Sequence, residues 1–114
     1  KRLKKTKMIL RNQIKKGLKN IKNINNIVFA YEPVWSIGTG LIPSNSELLE
    51  NILFIKKLLK KNFRTKKTIV LYGGSVNPNN IKDLQKINDI DGFLIGGASQ
   101  YSNKFIDIIK KTFN

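Results

Sequence analysis

Apolar residues along the first twenty-one positions recur at helical steps. Leu3, Ile9 or Leu10, Ile14, Leu18 and Ile21 supply one stripe, so the spacing predicts a helix over 1–21. Gly17 weakens that helix without forbidding it. The chain opens with Lys1 directly in helical spacing, which reads as the end of a helix that begins upstream. Asn23 to Asn26 form a polar break. Three short apolar runs follow, Ile27–Tyr31, Thr68–Tyr72 and Gly92–Ile95, rich in β-branched or aromatic residues. They do not alternate cleanly between apolar and polar, as expected of parallel strands covered on both faces.

Helical segments lie between these runs. Ser44-Asn45-Ser46-Glu47 is a capping box, in which the Ser44 hydroxyl can take the amide of Glu47 while the Glu47 carboxylate reaches back. Leu48, Leu49, Ile52, Leu53, Ile55, Leu58 and Leu59 continue that helix with an apolar face through Lys61. Asn77-Pro78 is a second start signal, an N-cap residue followed by proline at the first helical position. Ile81, Leu84 and Ile87 give that shorter helix a buried side. A last helix is expected from about Ser102, with Phe105, Ile108, Ile109 and Phe113 inward. The order is a helix and then strand–helix three times. This order predicts an α/β fold built on a parallel sheet with right-handed crossovers. No linker, low-complexity stretch or domain boundary divides the 114 residues.

Composition narrows the chemistry. There is no cysteine, so disulfides and thiolate metal sites are excluded, and there is no histidine to act as base, acid or ligand. No apolar run approaches the roughly 18 residues of a membrane helix. The basic start is not followed by the apolar core of a signal peptide. A cytoplasmic location is therefore expected, with no membrane partner. The net charge of +15 would ordinarily suggest nucleic acid. Lysine, isoleucine and asparagine number 19, 17 and 14, however, and arginine only 3. That imbalance reads as AT-rich coding bias rather than as a nucleic-acid footprint, for which arginine's fork geometry is the usual choice. The charge is also lopsided: residues 1–26 hold ten basic and no acidic side chains.

The residues after each strand carry the candidate chemistry. Ala30-Tyr31-Glu32-Pro33-Val34-Trp35-Ser36-Ile37-Gly38-Thr39-Gly40 follows the first strand, Tyr72-Gly73-Gly74-Ser75-Val76 the second, and Gly96-Gly97-Ala98-Ser99 the third. Parallel α/β folds bind ligands at this end of the sheet. Three glycine-bearing loops there would offer several backbone N–H groups to an anion such as phosphate. Taken singly, each signal has a plainer reading. A Gly-Gly pair is usually a turn requiring positive φ. Ser75 has no histidine to activate it as a nucleophile. Ser99 reads as an N-cap or amide donor, and Trp35 as core. Glu32 is harder to explain structurally, because a carboxylate ending an apolar strand needs a partner or a purpose.

Together these blocks resemble the triosephosphate isomerase family. Tyr31-Glu32-Pro33-Val34-Trp35 with Ile37-Gly38-Thr39-Gly40, then Tyr72-Gly73-Gly74-Ser75-Val76, then Asp91-Gly92-Phe93-Leu94-Ile95-Gly96-Gly97-Ala98-Ser99 fall in that family's order and spacing. The resemblance covers roughly residues 8–114. It implies a partial (β/α)8 barrel: three parallel βα units, preceded by the end of a helix, forming a C-terminal fragment (1–114) of one domain. It implies that Glu32 is a catalytic base moving a proton between adjacent carbons of dihydroxyacetone phosphate and glyceraldehyde 3-phosphate, through an enediolate. That is a reaction of glycolysis and gluconeogenesis, and the family is itself a standard example of such tuned acid–base chemistry. It further implies a lid over Pro33, Val34, Trp35, Ser36, Ile37, Gly38, Thr39 and Gly40, whose closure excludes water. The amides of Gly38, Ser75, Gly96 and Gly97 would cradle the substrate's phosphate, Tyr72 and Ser75 would latch the closed lid, and Leu94 would wall the base. No cofactor is expected, and the complete enzyme would be a homodimer.

There are departures from the family's pattern. Ser36 replaces a usual alanine, Leu41 a frequent lysine, and Ile52 and Lys56 a common histidine and arginine. Lys56 would then pair with an acid near Asp89 or Asp91, without arginine's bidentate fork. The lysine and histidine with which the family polarises substrate oxygens have no counterpart here, so the chain alone is expected to lack activity. Competing expectations are a non-catalytic phosphate-binding remnant, a basic nucleic-acid-binding module, and another phosphate-binding barrel enzyme. The Tyr31–Trp35 block argues against the last.

Overall fold

The computed structural model describes residues 2–33, 43–65 and 67–113. The chain runs α1 (Arg2–Gly17), β1 (Val28–Tyr31), α2 (Asn45–Phe63), β2 (Ile69–Tyr72), α3 (Ile81–Gln85), β3 (Gly92–Phe93) and, after a 3-10 turn over Gly97–Gln100, α4 (Ser102–Phe113). The strands form one parallel sheet in the order β1-β2-β3. Val28 to Tyr31 lie opposite Ile69 to Tyr72, and Leu71 and Tyr72 lie opposite Gly92 and Phe93. The expected helix followed by three strand–helix units is thus the observed order.

Successive strand residues point to opposite faces, and neighbouring residues in register share a face. Phe29, Tyr31, Val70, Tyr72 and Phe93 therefore form one face. Val70 and Tyr72 are fully buried there, against Leu48, Ile52, Ile55 and Leu59 of α2 and Ile81 and Leu84 of α3 within one core. Val28, Ala30, Ile69, Leu71 and Gly92 form the other face, and Val28 is 54% exposed. Only this second face is open. The strands' unbroken apolar character had suggested cover on both faces.

Local chemistry sets the element ends. The Ser44 hydroxyl accepts the Glu47 amide at 3.2 Å, as the capping box predicts. Helix α2 closes on Arg64 in the left-handed region, its N–H bonded to the Lys60 carbonyl. Helix α1 ends at Gly17 rather than at residue 21. Asn20 adopts φ 69°, a conformation that asparagine tolerates better than most residues and that breaks the helical path. Beyond this break Ile21 is exposed, whereas Ile24, inside the expected polar break, is buried. Leu10 is buried and Ile9 is not, which assigns the ambiguous position; Leu3's side chain lies outside the described residues.

The helix expected to start at Asn77-Pro78 begins only at Ile81, with Asn80 rather than Asn77 in the N-cap position. The Asn77 Oδ1 accepts the amides of Asn79 and Asn80 at 2.8 and 3.0 Å, spending the first turn on side-chain bonds. Asn80 locks this loop from the other side. Its Oδ1 accepts the Asn77 amide at 2.9 Å, and its Nδ2 donates to the Ser75 carbonyl at 2.9 Å. The expected inward face of α4 is mostly outward. Ile108 is buried, but Phe105, Ile109 and Phe113 are exposed; among the described residues α4 packs chiefly along α3 and the 3-10 turn. Lys56 does pair with Asp91, at 3.0 Å, and the Asp91 Oδ2 also accepts the Val70 amide at 2.8 Å. Among the described residues no helix is long and apolar enough to cross a membrane.

Candidate active site at the carboxyl ends of the strands

Glu32 follows Tyr31 directly, so strand alternation places it on the open face, in line with Val28 and Ala30. Gly73 follows Tyr72 and falls on the same face beside it. The pairing of β1 and β2 continues one step further here, with the Gly73 amide donating to the Tyr31 carbonyl at 2.9 Å. A Cβ added to Gly73 would come within 2.6 Å of the Glu32 Cγ and 2.8 Å of its Oε1. Gly73 is therefore glycine because the Glu32 side chain lies across it. The plainer reading of a Gly-Gly pair, a turn requiring positive φ, does not account for Gly73, which does not carry that constraint. Only knowledge of the strand register could have revealed the real one.

The third strand leads into a different kind of glycine pair. Gly96 and Gly97 are exposed, and a Cβ at either would meet nothing within 4 Å. Their backbone is therefore open to a ligand. The turn that presents them is held by Ser99, whose amide and hydroxyl both donate to the Gly96 carbonyl, at 2.9 and 2.6 Å. This matches Ser99's expected part as a donor. Ser75 stands on the facing loop, fixed through its carbonyl by Asn80. Ser75, Gly96 and Gly97 share one cleft of about 690 Å³, lined also by Val76, Asn77 and Pro78. Such a volume is of the size that takes a small metabolite.

Glu32 lines a second space of about 420 Å³, between α1 and β1, with Leu10, Ile14 and Phe29. The described residues thus bring Ser75, Gly96 and Gly97 together, while Glu32 stands at the same end of the sheet but lines a separate space. Tyr72 is buried on the helix-covered face and Pro33 is buried beside Glu32 in sequence. Leu94, expected beside the base, is 46% exposed, and its amide donates to the Tyr72 carbonyl at 3.0 Å. The expectations for Val34, Trp35, Ser36, Ile37, Gly38, Thr39 and Gly40, and for Leu41, lie outside the described residues. The sequence reading also missed Asn51. It is fully buried on α2 and donates from Nδ2 to the Tyr31 hydroxyl at 3.1 Å, tying α2 to the residue before Glu32.

A parallel α/β sheet with a carboxylate and exposed glycines at the carboxyl ends of its strands is the arrangement in which α/β proteins bind ligands. A sequence model of the family described as triosephosphate isomerase matches residues 1–112, further toward the N-terminus than the motif blocks reached. The chain belongs to that family. Curated relatives named triosephosphate isomerase include those of Mycoplasma mobile, 47% identical over 106 residues, and Neurospora crassa, 48% identical over 101. A third, from Leptospira interrogans, is 45% identical over 111 residues. These matches cover 93%, 86% and 91% of this chain, but 42%, 40% and 44% of the relatives. The chain spans less than half the length of the curated relatives it matches.

Proposed function

We propose that this chain supplies the base and the phosphate cradle of a triose-phosphate isomerase, as the last three βα units of an eight-unit barrel. Dihydroxyacetone phosphate would lie with its phosphate on the amides of Ser75, Gly96 and Gly97, joined by that of Gly38. Glu32 would take a proton from C1 and leave an enediolate. The protonated carboxyl would return a proton to C2 while O1 gives up its proton and O2 gains one, yielding glyceraldehyde 3-phosphate and restoring the carboxylate. Residues 33–40 would close over the intermediate, with Tyr72 and Ser75 as the latch. Closure keeps out the water that would let the intermediate shed phosphate. Groups polarising the substrate oxygens would come from the preceding five units, as the family resemblance implies.

The observation that carries this reading is the contact between Glu32 and Gly73 on the sheet's open face, at the end where Gly96 and Gly97 leave their backbone uncovered. A carboxylate given room by a glycine and aimed away from the core is arranged for chemistry, not for packing. The reaction is tested by running the full chain, meaning the complete eight-unit enzyme of which these 114 residues would be the last part, in D2O and reading deuterium in the product. Transfer through a carboxyl that exchanges with solvent puts deuterium on the carbon beside the carbonyl. A Glu32→Gln variant should lose the conversion and the label together. Conversion and solvent label that both persist in Glu32→Gln would overturn the assignment of Glu32.

A further inference from the structure

The cleft beside Gly96 and Gly97 holds a charge that the isomerase reading leaves unused. Lys104 lines this space, and among the described residues no carboxylate lines it. The Lys104 ammonium lies 4.8 Å from the centroid of the Tyr101 ring. Among the described residues no ion pair ties up the Lys104 ammonium, as is so for most of the lysines, but Lys104 is the lysine that lines this cleft. Its position also works against its own helix. Lys104 sits in the first turn of α4, where no acidic residue offsets it and the helix end is itself positive. Lys110 and Lys111 occupy the last turn, where cations are favoured.

We propose that Lys104, steadied by Tyr101, attracts and orients the phosphate of the substrate at the mouth of the cradle. The proposal rests on the isomerase reading of the same cleft and adds to it a side-chain reader of the anion. A triose phosphate carries nearly two negative charges at neutral pH. Main-chain amides recognise such a group only at contact, whereas a full charge acts over a Debye length of about 10 Å. Resting the ammonium on an aromatic face restricts the lysine's rotamers, so less freedom is lost when the anion arrives. Lys104 is thus a positioning residue for substrate entry and contributes nothing to the proton transfers.

The test is kcat/KM for glyceraldehyde 3-phosphate in the full chain, measured from low to high ionic strength. Lys104→Ala should lower it roughly three- to tenfold at low salt, with the curves converging at high salt. The value of kcat should not change. The inhibition constant of inorganic phosphate should rise by a similar factor. Lys104→Arg should restore wild-type behaviour, and Lys110→Ala should leave it untouched. Equal kcat/KM for Lys104→Ala and wild type at low salt would overturn the proposal, as would a loss independent of salt. Gly97→Val separates this failure from failure of the cradle itself. Adding a branched side chain into the open space above Gly97 should raise KM strongly with the circular dichroism spectrum unchanged. If Gly97→Val weakens binding while Lys104→Ala does not, only the role of Lys104 falls. If the full chain shows no turnover, both readings fall.

Discussion

Two glycines at the strand ends show how one residue type serves opposite purposes. Gly73 is filled from outside by the Glu32 side chain, whereas Gly97 faces empty space. The first makes a steric prediction about the base. In Gly73→Ala the new methyl would displace the Glu32 carboxylate by a sizeable fraction of an ångström. Because Glu32 is exposed, it can move aside at little cost to the fold. Turnover should therefore fall by about tenfold or more, since proton transfer depends steeply on placement. The melting temperature should stay within a few degrees of wild type. A variant with normal turnover would mean that the contact does not position the base. Glu32 itself was legible in the sequence, because a carboxylate ending an apolar strand stands out. The reason for Gly73 was not, because it lies in a neighbour forty-one positions away in the chain, brought close only by strand register.

Among the elements, legibility followed how local the determining chemistry is. The start of α2 was readable because its cap is confined to four consecutive residues, Ser44 to Glu47. Removing that cap with Ser44→Ala should lower stability by about 1 kcal/mol, read from denaturant unfolding of the full chain, with activity retained. Asn77 looked like a helix cap, but its two side-chain bonds and the return bonds from Asn80 make a tight loop there, and α3 starts four residues later with Asn80 at the cap position. The end of α1 depended on Asn20 taking a left-handed conformation, which the surrounding apolar spacing concealed. Helix α4 failed for another reason. An amphipathic pattern states which face wants cover, not whether anything covers it, and Phe113 is 82% exposed. Lys104 had no motif at all. Its interest comes from sharing a cleft with two glycines.

At the scale of the whole molecule, the open face of the sheet and the outward apolar side of α4 belong to one picture. Val28, Phe105, Ile106 and Ile109 all remain exposed, while Leu48, Ile52, Val70 and Tyr72 on the covered side are fully buried. Register decides which valine meets water: Val28 is on the open face and Val70 on the covered one. Each apolar ångström squared left in water forgoes roughly 25 cal/mol, and the edges of a short parallel sheet invite pairing with other chains. The isolated 114-residue chain should therefore melt broadly, bind dyes that report exposed apolar surface, and show no isomerase turnover. Calorimetry and a coupled assay on a proven monomer check this. A sharp transition with turnover would mean that the chain completes its own site.

The central claim is that Glu32 is the proton-transfer base, and shortening its side chain tests this more directly than removing it. Glu32→Asp keeps the charge and retracts the carboxylate by about 1 Å, so it probes placement alone. Steady-state kinetics of the full chain should show kcat lowered on the order of a hundredfold, with KM close to wild type. A kcat within about twofold of wild type would contradict the account, because no base in contact with the transferred proton could withdraw that far without consequence.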